Sequence, residues 1–139
     1  MLLSGQKNTL TVMQPLSLED LGKFYPVDFS HFEVTFYIFI LFGALKLMRV
    51  NEILSLKPCH LSRFKFDVNG NIISFLVKIV ESKTAKDPIY FLISKNESKN
   101  YCICYWLQVL LERFDTPPSN ENLFRYSYHI MSSYLKKKL

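Results

Sequence analysis

Arg49 is the residue whose position most needs a chemical explanation. It stands directly behind the most apolar segment of the chain and opens the stretch Arg49-Val50-Asn51-Glu52-Ile53-Leu54-Ser55-Leu56, with a carboxylate three residues on. A cation set against a core is costly unless it is paired or put to use. One use is an ion pair with Glu52 across a helical turn, a contribution of about a few tenths of a kcal/mol. The other is an external anion. Further candidates for chemistry are weaker. Cys59, Cys102 and Cys104 are odd in number with no secretory signal ahead of them, which points away from a disulfide framework and toward a reducing compartment. Cys102-Ile103-Cys104 lies in an apolar run, and two thiols at that spacing on a helix point to different faces, so buried packing is expected rather than metal binding. His31, His60 and His129 share no ligand spacing with the cysteines. No metal and no cofactor are expected.

The balance of 17 Lys+Arg against 12 Asp+Glu gives a net charge of +5. That excess is compatible with a polyanionic partner and equally with simple solubility. Tyr101, Tyr105, Trp106, Tyr126, Tyr128 and Tyr134 could stack on bases, but their helical spacing suits packing better. The terminal Lys136-Lys137-Lys138 reads as a solvated end.

Positioning these side chains requires a folded domain, and the composition allows one. A chain of 139 residues, 49% hydrophobic, with 4 Gly and 6 Pro, is long enough for a single core and short for two ordinary domains. Residues 1–14 are polar and unpatterned, a flexible lead-in, and a single domain is expected over 15–139. Pro15-Leu16-Ser17-Leu18-Glu19-Asp20-Leu21 signals a helix start, with Ser17 as N-cap and acids in the first turn. From Phe29 or Ser30 the chain is apolar on every helical face, which predicts a buried helix. Val34 to Leu45 is uncharged but only 12 residues long, against the roughly 20 a membrane span needs. Arg49 to Leu56 continues as a short helix, stopped near Pro58.

Segments 61–66, 71–81 and 88–93 are rich in Ile, Val and Phe. They are divided by Asn69-Gly70-Asn71 and by Lys83-Thr84-Ala85-Lys86-Asp87, which predicts a three-stranded antiparallel sheet with a hairpin at the Asn-Gly step. Helical spacing returns over 101–114 and 128–135, with a polar turn and Leu123-Phe124 between. The expected architecture is a mainly helical α+β domain with a small three-stranded antiparallel sheet.

An Arg-x-x-Glu-apolar-apolar-x-Leu helix, then strands, then a Lys-Thr pair in the turn between the second and third strands, resembles the catalytic domain of tyrosine recombinases and phage-type integrases. Here those residues are Arg49, Glu52, Ile53, Leu54 and Leu56, followed by Lys83-Thr84. The stretch Pro15 to Leu21 is similar to the opening of that domain, and Leu123-Phe124 to its apolar-Phe step ahead of a helix. The resemblance covers about residues 15 to 139. It departs at Leu47, where the family usually has a small residue, and at His60, where it commonly has an acid.

The resemblance implies DNA recombination or integration chemistry of mobile-element type. A phosphodiester passes through a pentacoordinate transition state with charge growing on its non-bridging oxygens, and a planar guanidinium can pair with two of them. Arg49 matches the first arginine of that clamp. Lys83 matches the lysine that donates a proton to the leaving 5′ oxygen, with Lys86 in the same loop as substitute. Glu52 matches a supporting residue at the helix junction. DNA contact is expected at Arg49, Lys83 and Lys86, through the phosphate backbone.

A complete member also needs a His-x-x-Arg beyond the sheet and a tyrosine nucleophile. His129-Ile130-Met131-Ser132 lacks the arginine, and Tyr134 follows His129 too closely for the nucleophile's separate helix. The chain is therefore expected to be a truncated, DNA-binding recombinase-like fragment, inactive alone. An alternative is a non-catalytic interaction or architectural domain on the same scaffold, self-associating or packing with a missing C-terminal segment. A third reading is a small helical domain with no sheet, in which Arg49 and Glu52 form a plain ion pair. The expected location is intracellular, nuclear in a eukaryote and cytoplasmic otherwise, with no membrane association.

Overall fold

A computed structural model describes residues 17–46, 48–79 and 89–139. It is an α+β fold with helices before and after a three-stranded antiparallel sheet. The sheetless helical reading is excluded by that sheet. The frayed lead-in expected over residues 1–14 lies outside the described residues. Contacts group the described residues into two compact units, one falling within 17–55 and 124–139 and one within 56–123.

In the first unit, α1 (Leu18–Gly22) starts where the capping signal places it. Ser17 Oγ accepts the Asp20 N–H at 3.0 Å, and Asp20 Oδ2 accepts the Ser17 N–H at 3.4 Å. The same device opens α2 (His31–Lys46). Ser30 Oγ accepts the Glu33 N–H at 3.1 Å, and Glu33 Oε1 accepts from Ser30 at 3.3 Å and Asp28 at 3.0 Å. Every residue from Val34 to Gly43 is buried, as an all-apolar helix requires. Then α3 (Val50–Leu54) follows, its Val50 and Ile53 buried. The C-terminal stretch closes the unit, with α5 (Tyr128–Lys138) running on through the three lysines expected to form a solvated end. Tyr134 sits 4.8 Å, centroid to centroid, from both Phe32 and Phe36, each pair edge to face, an arrangement aromatic quadrupoles favour.

In the second unit, β1 (Leu61–Phe66), β2 (Ile72–Ile79) and β3 (Ile89–Ser94) form a meander. The Asn-Gly hairpin forms where expected. Asp67 Oδ1 accepts the N–H groups of Asn69 at 2.8 Å and Asn71 at 2.9 Å, and Gly70 takes φ +83°, a left-handed conformation glycine adopts at least cost. Phe75 pairs with Ile93 and Val77 with Phe91. Phe75, Val77 and Ile93 are buried, and α4 (Ile103–Arg113) packs on β2 and β3. Gln108 on α4 locks the hairpin, its Oε1 accepting the Ile72 N–H at 2.7 Å. Two 3-10 turns, Pro58–His60 and Lys99–Tyr101, precede β1 and α4; the sequence reading did not foresee them.

Cys102 and Cys104 are buried, the packing role expected of them. Cys102 is the N-cap of α4, in extended backbone at φ −103° and ψ 102°, so helical spacing does not govern its side chain. The Cys104 thiol donates to the Ile93 carbonyl oxygen at 3.8 Å. Among the described residues, no helix is long and apolar enough to cross a membrane.

Candidate functional site

Arg49 is exposed, between buried Met48 and Val50. This corrects the reading of Arg49 as a cation held against the core. The apolar residues on either side anchor the backbone, while extended dihedrals at the N-cap, φ −76° and ψ 149°, turn the side chain away from them. Glu52 does not reach the guanidinium. Its Oε1 accepts the backbone N–H of Arg49 at 2.9 Å, satisfying a donor that the start of α3 would otherwise leave open, and no ion pair joins the two side chains among the described residues. Glu52 thus holds the helix junction through the main chain. The result is an arginine on a fixed backbone with its fork of donors facing solvent, a geometry suited to an anionic oxygen pair.

Lys83, Thr84 and Lys86 lie outside the described residues. The last described rung of the β2–β3 ladder before them pairs Ile79 with Ile89. Of the expected site residues, only Arg49 and Glu52 therefore have a described environment.

A basic corner in the second unit was missed in the sequence. His60 ends the 3-10 turn, and its Nδ1 accepts the Lys57 N–H at 3.1 Å. Burial first, then the cations of Lys57 and Lys78, hold its imidazole below the usual value. Arg63, three residues on, is exposed and takes φ +52° in an irregular part of the β1–β2 pairing. Lys57 and His60 share a turn, a spacing that could have been read. Lys78 joins them only through strand pairing, which the sequence does not display.

The C-terminal residues weighed as catalytic are occupied otherwise. Tyr134 packs in the cluster with Phe24, Phe32 and Phe36, and His129 is exposed on the first turn of α5. His31 Nδ1 lies 2.7 Å from the Tyr126 hydroxyl, and burial, then Arg125, lowers its pKa. No three His, Cys, Asp or Glu side chains among the described residues converge as metal ligands.

The chain is a small α+β protein with an exposed, backbone-fixed arginine at the head of α3 and a basic turn at Lys57–His60. No family model, curated protein or solved structure matches this chain.

Proposed function

We propose that this chain is a DNA-binding protein of tyrosine recombinase type, contacting the phosphate backbone through Arg49, Lys83 and Lys86 and cleaving no strand with the residues present here. The observation that carries the reading is Arg49, exposed at the head of α3 while Glu52 fixes its main chain. A structural arginine would spend its donors on a neighbouring carboxylate; this one has them free of Glu52. The order of elements supports the reading, with a buried helix, the arginine helix, a three-stranded sheet and further helices following as the resemblance requires. So does the net charge of +5.

Backbone contacts fix a protein on a duplex without reading its sequence. Strand cleavage would need an activated nucleophile near the phosphate, and Tyr134, the tyrosine that follows His129 in the C-terminal helix, is packed among aromatic rings. Fluorescence anisotropy with a short duplex tests the proposal. Arg49→Ala and Lys83→Ala should each weaken binding on every sequence tried and lower the salt slope by about 1. The exposure of Arg49 predicts unchanged thermal stability for its variant, so a loss would report contact with DNA. Binding unchanged in both variants would overturn the site.

A further inference from the structure

We infer that the solvent face of the sheet in the second unit binds single-stranded nucleic acid, stacking a base on Tyr90 and holding phosphates at Lys78 and Lys65. This surface shares no residue with the duplex site proposed at Arg49, Lys83 and Lys86.

Strand pairing defines the face. Phe75, Val77, Ile79 and Ile93 are buried, so alternation along β2 and β3 puts their neighbours on the opposite side. Three rows result: Lys78 opposite Tyr90, Leu76 between Ser62 and Leu92, and Ser74 between Lys65 and Ser94. No carboxylate occurs among these described residues. Tyr90 is 52% exposed and Leu92 60%, so the apolar surface between the lysines is open. His60 immediately precedes Leu61, the partner of Val77, and its turn packs on β2. The basic turn therefore adjoins the Lys78 end of the face.

A bulge phases β1 for this arrangement. Ser62 pairs with Leu76 and Lys65 with Ser74, so β1 carries one extra residue over that stretch. The exposed Arg63 takes φ +52° there, a conformation costly for a residue with a Cβ. The extra residue sends Phe64 to the core, where it stacks on Phe75 at 5.3 Å between centroids, and Lys65 to the solvent face. An unbulged strand would reverse both.

Each part of the face matches one part of a single strand. An open ring offers a base its π-face, and lysines beside it neutralise phosphates. Because Lys78 stands directly opposite Tyr90, a base stacked on the ring keeps its phosphate near the ammonium. Lys65 lies roughly 13 Å farther along the strands, at about 3.3 Å per residue, where a later nucleotide passes. A duplex keeps its bases stacked inside and would set Tyr90 and Leu92 against its charged backbone. A second copy of the chain would bring lysine against lysine with no carboxylate on either face to meet it.

Fluorescence anisotropy on the intact chain separates stacking from charge, using a short labelled oligo-dT and an abasic deoxyribose phosphate strand of equal length. Oligo-dT should bind about tenfold more tightly. The result is read as a ratio, so phosphate contacts elsewhere on the chain cancel from it. Tyr90→Leu should abolish the preference, and Tyr90→Phe, which keeps a ring, should retain it. Lys78→Ala and Lys65→Ala should weaken both strands alike, each lowering the salt slope by about 0.7. Equal affinity of the native chain for the two strands, no binding of oligo-dT at low salt, or a preference that survives Tyr90→Leu would overturn the proposal. Displacement by polyglutamate as readily as by unlabelled oligo-dT would also overturn it, assigning the face to an acidic protein.

Discussion

At Arg49, identity and environment were legible to different degrees. Arg-x-x-Glu at the end of an apolar run marks the residue out, but the spacing suggests an ion pair. The structure instead has Glu52 bonded to the main chain at 2.9 Å. The difference is one of helix boundary: with Arg49 as N-cap rather than inside the helix, Glu52 occupies the position that reaches back to the cap amide. The same boundary effect makes Cys102 the N-cap of α4, outside the helical spacing, although its expected burial holds. Glu52→Ala should therefore destabilise the fold by about 0.5–1 kcal/mol through loss of its capping bond, measured by urea denaturation. Its duplex affinity should fall less than that of Arg49→Ala, because Glu52 positions the arginine and carries no contact of its own.

Elements with strong local signals were read closely. The Asn-Gly hairpin, the buried α2 and the Ser17 cap follow from turn chemistry, periodicity and capping, all encoded within a few residues. The lock supplied by Gln108 was not, because it joins α4 to the start of β2 across 36 residues of chain. Gln108→Leu leaves the N–H of buried Ile72 without its acceptor and should cost about 1–3 kcal/mol in chemical denaturation. The Pro58–His60 turn carries a pH dependence. His60 titrates below its unfolded value, so the folded state prefers the neutral ring. Its contribution is full above pH of about 6.5 and is lost as pH falls through the lower folded value. Protonation at Nδ1 would also remove the acceptor for the Lys57 N–H. His31, lowered mainly by burial, acts in the same direction. Stability measured from pH 7.5 down to 5 should decline below the unfolded value, and His60→Gln should flatten part of that decline.

Over the whole molecule, local signals say least. The first unit is built from the two ends of the chain: Tyr126 meets His31 across 95 residues, and Phe124 meets Phe42 at 6.5 Å between ring centroids. The second is closed by the Leu123 N–H donating to the Leu56 carbonyl at 2.7 Å. Length and composition constrain total core size but not how contacts partition it, so the two units are not legible in the sequence. Net charge, by contrast, is read from sequence without loss, and the central claim is electrostatic. Three phosphate contacts, at Arg49, Lys83 and Lys86, should release about three counterions from a duplex. The direct test is the affinity of the intact chain for two short duplexes of unrelated sequence, measured from low to moderate salt. The account predicts equal affinities on both, with log K falling linearly against log salt at a slope of about −3. No retention of either duplex at low salt, or binding independent of salt, would contradict it.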